Sequence, residues 1–366
     1  MTTNTASSLV TVDHSTFSVT DDPTRTVSVP TTTRDDASDD GKGEFLHLRN
    51  MELVSALTPA LTFLCVLLVL GLVGNTVVLV VYYRRFKASV PRVYILAMAV
   101  CDFLTNVLAI PLQIVEIRFN VTFYATWGCK VIRSGSTALI LFTAVILVAV
   151  AVDRQKVICT DRPATLDSVR GAYRAVVIAV VVAVLGAWPY AVLAGDHVIT
   201  FPDSNITGVT CTIADTYRHT AFPTTYIGVL ALSYCVSVMI MVVSYARIAR
   251  HLWQHRETTT TLNRRSKCAV ANSSPPGAIV KQVPARTSLM LFVFTVLFIV
   301  NYFPTLAMSI VDQADPKTSI EDLERNARSI LLRWHFVSSA VNPLVYSFVS
   351  CKFRHECRAL VGCESH

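Results

Sequence analysis

Charge is scarce in this sequence. Only 16% of its 366 residues are Asp, Glu, Lys or Arg, and 52% are hydrophobic. An ordinary soluble domain is about 25% charged. The mean hydropathy of +0.50 disfavours a water-soluble enzyme of this length. Ten cysteines are too few for a disulfide-held scaffold. No CxxC or HExxH occurs, and no Gly-rich phosphate loop follows a strand pattern, so zinc sites and nucleotide loops have no support. The start of the chain lacks a charged segment followed by an apolar core. No cleavable signal peptide is therefore expected, and the first apolar run has to direct insertion.

Long uncharged runs are what the sequence has. A bilayer core about 30 Å thick is crossed by roughly 20 apolar residues in a helix. Seven runs qualify: about 57–81, 93–115 with Asp102 as its one charge, 134–152, 175–195, 219–246, 287–311 and 334–351. The third and seventh are short unless their flanks extend them, and Arg133 and Arg333 at their edges are expected to snorkel outward. A single run reads equally as a buried core helix. Seven, with no soluble domain between them, predict an all-α membrane protein with a seven-helix bundle.

The Lys/Arg bias of the loops orients the bundle. With the N-terminus outside, the inner segments hold 20 Lys+Arg against 6 Asp+Glu, and the outer segments hold 12 against 18. The expectation is a multi-pass plasma-membrane protein, surrounded by lipid, with an extracellular N-terminus. Residues 1–54 are acidic and Ser/Thr-rich and read as a disordered outer tail. Residues 55–350 form the bundle. In the tail 351–366, basic and apolar residues alternate over 352–360, as in a short helix on the inner membrane surface. The inner loop 247–286 carries Asn272-Ser273-Ser274-Pro275-Pro276-Gly277, a flexible linker composition.

Few residues carry chemistry. Asp102 is the one acid deep in a span, where a charge is costly and functional. Asn75 and Asn342 lie at similar depth and are candidate hydrogen-bond partners. Pro343, between Asn342 and Tyr346, frees a backbone carbonyl and offers a hinge, and Pro304 and Pro111 are further kink points. Cys129 and Cys211 are the only cysteines on the outer side, so they must pair if either forms a bridge; the alternative is two free thiols. Asn120 and Asn205 head outer sequons open to glycosylation, whereas the Asn272 sequon lies inside. Asp153-Arg154-Gln155 closes the third span. Nothing assigns a lipid to Cys351, Cys357 or Cys363. The histidines nearest the spans, His219 and His335, have no Ser/His/Asp company, so no catalysis is expected.

The ordered set resembles the rhodopsin-like G-protein-coupled receptors over about residues 55–360. Gly74-Asn75, Ala99-Val100-Cys101-Asp102-Phe103-Leu104, Asp153-Arg154-Gln155, Tyr245 and Asn342-Pro343-x-x-Tyr346 match that family's motifs in order, and Phe353-Arg354 its short eighth helix. Cys129 and Cys211 match its extracellular disulfide. Departures mark a divergent member. Gln155 stands for a tyrosine, Tyr302 for a tryptophan before Pro304, Val180 for a tryptophan, and Ser237 for a proline, while Pro163 falls two residues late. The resemblance implies ligand-driven activation of a heterotrimeric G protein, with Asp153, Arg154, Gln155, Tyr245, Pro304, Asn342, Pro343 and Tyr346 in the switch.

Ligand class follows from the same resemblance. The span-three acid of aminergic receptors is Ser136 here, and the retinal-binding lysine of opsins is Phe336. Ala172-Tyr173-Arg174 and Trp188-Pro189-Tyr190 resemble the cholecystokinin, orexin and galanin receptors. Gln113, Glu116, Arg133, Ser136, Tyr302 and His335 are expected to line the outer bundle, a mixed polar wall that suits an extracellular neuropeptide. Asp102, Thr143, Ser338 and Ser339 supply the oxygens of a sodium site, the one cofactor implied. No nucleic-acid partner is expected. Arg154 should pair with Asp153 alone, because the inner end of span six carries Pro284 instead of an acid; ligand-free signalling is the consequence. A transporter or channel would show inverted repeats, which are missing. A decoy that binds without signalling is the alternative that Gln155 and Asn301-Tyr302 favour.

Overall fold

The protein is described from a computed structural model, which describes residues 34–160, 166–201, 205–268, 285–314 and 322–361. The chain divides into units of residues 1–43 and 44–366. Of the first unit, residues 34–43 are described, and they are helical. Six helices are long and apolar enough to cross a membrane. The first is α2 (Thr58–Arg85). The second span comprises α3 (Val90–Leu104) and α4 (Ile110–Arg118), joined by a π-helical turn at Thr105–Ala109. Then follow α5 (Thr126–Cys159), α6 (Leu166–Leu193), α8 (Phe222–Cys268) and α9 (Ala285–Ala314). A strand pair, β1 (Ala194–Phe201) and β2 (Ile206–Ile213), and the short α7 (Asp215–Arg218) separate α6 from α8. α10 (Asp322–Leu332), α11 (Phe336–Val349) and α12 (Cys351–Val361) complete the chain.

Within lipid, helices gain little from apolarity alone, and close approach of small residues drives their packing. α6 shows this. Ala172, Ala179, Ala183 and Ala187 are buried, while Val177, Ile178, Val181 and Leu185 between them are exposed. Gly186 sits so close to α5 that an added Cβ would lie 2.6 Å from Leu141 Cδ1. α5 touches α3, α6, α8 and α9 and is the central post of the bundle, while α2 packs on α3 and α11. The α2–α11 contact explains Gly74: a Cβ there would lie 2.7 Å from both Cβ and Cγ of Pro343.

The second span is not a plain helix. Ile110 N–H bonds Thr105 O, five residues back, so one extra residue is wound into the helix. Pro111 follows at once, and a ring without an N–H cannot continue the regular ladder. The seventh span, expected over 334–351, is α11. A break at residues 333–335 separates it from α10, and there Phe336 N–H bonds Arg333 O and Val337 N–H bonds Trp334 O at 3.1 and 3.0 Å, three residues back. Thr305 satisfies the groups the break frees. Its hydroxyl donates to Leu331 O (3.1 Å) and accepts His335 N–H (3.2 Å).

Two expectations about the ends are corrected. Residues 1–54 were expected to lack structure, but α1 spans Arg34–Ala56. From residue 44 onward, Leu46, Asn50, Val54 and Leu57 recur at helical spacing on its covered face. Asn50 Nδ2 donates to Arg118 O (2.7 Å), and Val121 N–H donates to Asn50 Oδ1 (3.3 Å). The loop expected from residue 247 is helical to Cys268, and its linker motif lies outside the described residues. The tail helix forms as α12. Ser350 caps it by accepting Phe353 N–H (3.2 Å), and Phe353 is buried against Tyr82 and Tyr346.

Candidate functional site

At one end of the bundle the β1–β2 hairpin is fixed from several sides. The two strands are antiparallel, with Asp196 opposite Cys211. Cys211 is disulfide-bonded to Cys129 in the first turn of α5. Val209 exchanges backbone bonds with the preceding loop: Val209 N–H to Val121 O (2.9 Å) and Phe123 N–H to Val209 O (3.0 Å). Thr126 donates to Asp196 (2.5 Å). Asp215 accepts Val198 N–H (3.0 Å) and contacts His197. Burial pushes the Asp215 carboxyl upward, but the Val198 N–H, His197 and Arg218 outweigh it, and the net shift is downward. Asn205 at the hairpin tip is exposed and takes φ 52°, a left-handed conformation that asparagine tolerates. Asn120, half-buried, lies in the turn after α4.

Beneath the hairpin lies a cavity of about 290 Å³, and Gln113, Glu116, Arg133, Ser136, Tyr302 and His335 all border it. Its polar wall is one connected cluster. Arg133 donates to Glu116 (2.7 Å) and to Cys211 O (3.0 Å). Arg333 approaches the same carboxylate at 3.6 Å and donates from Nε to Gln113 Oε1 (2.8 Å). Gln113 Nε2 donates to Glu116 (3.1 Å). Both arginines were expected to snorkel outward; they turn inward because Glu116 offers a buried carboxylate that lipid headgroups cannot match at this depth. On the opposite wall Tyr302 stacks on Phe298, with centroids 5.7 Å apart, and meets Tyr234. A second cavity of about 320 Å³ shares Arg133 and Tyr190 and adds Arg218, His219 and Asp312.

Deeper in the bundle, Asp102, Thr143, Ser338 and Ser339 all border a small cavity of about 40 Å³, with Ser136 and Tyr302 at its rim. That volume admits a few water-sized spheres. Asn342 Nδ2 donates to Asp102 (2.7 Å). Asn75 does not reach Asp102: its amide donates to Gly71 O and Ser339 O, each at 2.9 Å. Thr143 donates to Leu139 O (3.0 Å) and Ser339 to Phe336 O (2.8 Å). Their hydroxyl hydrogens are thus turned onto carbonyls, which leaves oxygen lone pairs for a hard cation. The four side chains thus bring oxygen atoms to the border of one small cavity.

The other end of the bundle differs from expectation. Asp153 accepts the Tyr94 hydroxyl, and among the described residues it forms no ion pair with Arg154. Arg154 is buried, and its Nε has no hydrogen-bond partner. Gln155 beside it is half-buried. The reason lies on the neighbouring helix: the Tyr94 hydroxyl on α3 reaches the Asp153 carboxylate and engages it there. Tyr245 and Thr295 hydroxyls are 3.3 Å apart. Tyr346 is fully buried with its hydroxyl unpartnered, tilted against Phe294 and Tyr82. Pro304 and Pro343 lie inside α9 and α11. Pro284 and Cys363 lie outside the described residues.

The family model described as 7 transmembrane receptor (rhodopsin family) matches residues 74–346. The chain belongs to this family. Among curated proteins, the mouse (Mus musculus) growth hormone secretagogue receptor type 1 is 25% identical over 316 residues, covering 84% of this chain and 82% of that protein. The human (Homo sapiens) neuropeptide S receptor is 25% identical over 306 residues, covering 82% and 79%. Neither carries the name of the cholecystokinin, orexin or galanin receptors that residues 172–174 and 188–190 resemble.

For this rhodopsin-family receptor, sequence reasoning missed Arg333 and Thr305 in the cavity wall. A signal for Arg333 existed: a lone arginine beside an apolar run, with a buried acid at matching depth in another span. For Thr305 there was none, since serines and threonines occur in six of the seven spans.

Proposed function

We propose that the chain is a receptor for an extracellular peptide and that it acts through a heterotrimeric G protein, with its N-terminus and the β1–β2 hairpin outside the cell. The observation that carries this reading is the 290 Å³ cavity, polar on one wall and aromatic on the other, under a hairpin tied to α5. Concave, mostly preformed sites with a few convergent polar groups are where ligands bind. The names of the two relatives, one a neuropeptide receptor, point the same way, and the basic segments support the orientation. Catalysis is not part of this reading: a ligand shifts an equilibrium between packings of the bundle. The test is G-protein activation in cells expressing the full chain, screened against a peptide library. Peptide-dependent activation, absent from mock-transfected cells, is expected; transport of a solute in place of activation would replace the reading.

Asp102, Thr143, Ser338 and Ser339 are proposed to hold a sodium ion. If they do, agonist affinity falls as sodium replaces a bulky cation, and Asp102→Asn abolishes that dependence. Wild-type affinity that ignores sodium would leave the cluster a purely structural one.

The Tyr94–Asp153 contact bears on ligand-free activity. With Asp153 engaged by Tyr94, Arg154 lacks its restraint and the resting state rests on packing. Tyr94→Phe frees the acid for Arg154. Basal signalling should fall, by roughly five-fold for each about 1 kcal/mol of restraint added. It is read at matched surface expression; unchanged or higher basal signalling in the variant contradicts the idea.

A further inference from the structure

We propose that the cavity beneath the hairpin selects its ligand by a carboxylate, which the Arg133 and Arg333 guanidiniums take up together. The inference rests on reading this cavity as the ligand site. Its ground is charge balance. Two guanidiniums converge on the single carboxylate of Glu116, at 2.7 and 3.6 Å, and their remaining protein acceptors are neutral: Cys211 O, Gln113 Oε1 and Ser329. The cluster therefore holds one positive charge more than it neutralises. The adjoining cavity does not supply the missing acid. Its one carboxylate, Asp312, lies near Arg133 but is already paired with Arg328 at 2.7 Å, and its cation Arg218 faces Asp215.

Donors remain free to meet an anion. Arg133 Nε and Nη1 have no partner among the described residues, and the side chain is 34% exposed, the most open member of the cluster. Arg333 Nη2 has only the long contact to Glu116. Ser136 Oγ and His335 Nε2, both buried and both bordering the cavity, are also unpartnered. A guanidinium is a rigid fork of donors that matches the two oxygens of a carboxylate. Two guanidiniums sharing one acid, with Arg333 largely buried, are held at a penalty that an entering anion relieves. A ligand ammonium in the same place would meet two guanidiniums first and be rejected.

The carboxylate can come from a chain terminus or from an acidic side chain, and matched fragment pairs separate the two. The probes are N-acetyl-phenylalanine against its amide, and N-acetyl-glutamic acid amide against N-acetyl-glutaminamide. Each is titrated against the purified full-length protein in nanodiscs by ligand-observed NMR. At least one acid should bind about ten-fold more tightly than its neutral twin. Preference in the first pair only identifies a terminal carboxylate, and preference in the second only an acidic side chain; either supports the proposal. The preference should disappear in Arg133→Gln and in Arg333→Gln, and shrink in Arg133→Lys, which keeps the charge but loses the fork. Glu116→Gln should tighten the acids further, because the competing carboxylate is gone. No acid preference in either wild-type pair overturns the proposal, and that comparison stands even where a variant does not fold. Survival of the preference in both glutamine variants overturns it too. Because these titrations need no G protein, an acid preference without signalling would remove the signalling function and leave this inference intact.

Discussion

Serine at Cys129 or at Cys211 is expected to strip the protein from the cell surface, or to leave it there without ligand binding. The bridge joins residues 82 apart in sequence and ties β2 to the first turn of α5. Removing a native disulfide typically costs about 2–5 kcal/mol. What would remain to hold the hairpin is the exchange with Val121 and Phe123, the bond from Arg133 to Cys211 O, and the Thr126 and Asp215 contacts to β1. The hairpin would then sample positions away from the cavity mouth, and Arg133 would lose the fixed carbonyl that helps to aim it. Surface staining with an epitope tag and binding of a peptide found by the library screen read the two effects separately. The double variant Cys129→Ala/Cys211→Ala controls for a stray thiol. Binding like the wild type by both single variants would show that the pinned hairpin is dispensable.

The second large effect is expected at Gly74. A Cβ there would meet two atoms of the Pro343 ring at 2.7 Å, and a proline ring cannot swing aside as a long side chain can. α2 and α11 would have to part, which stretches the Asn75–Ser339 and Asn342–Asp102 hydrogen bonds that cross the same region. Overpacking of this kind costs about 1–3 kcal/mol for a small group, and Gly74→Val should exceed Gly74→Ala. The measurement is the thermal midpoint of the detergent-purified protein, which should fall by several degrees for alanine. Gly135→Ala is the control: a Cβ at Gly135 meets nothing within 4 Å, so it should be neutral or slightly stabilising. Equal midpoints for Gly74→Ala and Gly135→Ala would dismiss the contact as the reason for the glycine.

How much of this was written plainly in the chain depends on the range of the interaction. Apolar runs are local, and a bilayer demands them, so the apolar middle of each span was legible, while α5, α6 and α8 run on past it. Cys129 and Cys211 were legible as the two outer cysteines. The six candidate cavity residues were reachable because depth in a span follows from counting along a helix. The hairpin was not, since Ala194–Phe201 and Ile206–Ile213 pair with each other and with residues 121–123, and pairing is a non-local property. α1 was hidden by composition: its acidic, Ser/Thr-rich neighbourhood outweighs four covered positions, Leu46, Asn50, Val54 and Leu57. The break between α10 and α11 depends on a hydroxyl from another helix, Thr305, which no pattern within residues 322–349 reveals. The engagement of Asp153 was missed because its partner, Tyr94, lies on another helix, and a contact between helices leaves no local pattern.

The π-helical turn at Thr105–Ala109 sets the angular phase of everything beyond it. A residue inserted into a helix turns the rest by about 100° about the axis. Gln113 and Glu116 follow the turn, so their bearing on Arg133 and Arg333 is fixed by chain length and not by side-chain chemistry. The same residues wound as a regular α-helical turn would aim Gln113 and Glu116 at different neighbours. The acid that Arg133 and Arg333 share thus owes its place to a backbone irregularity earlier in the same span, next to a proline that lacks the N–H of a regular ladder.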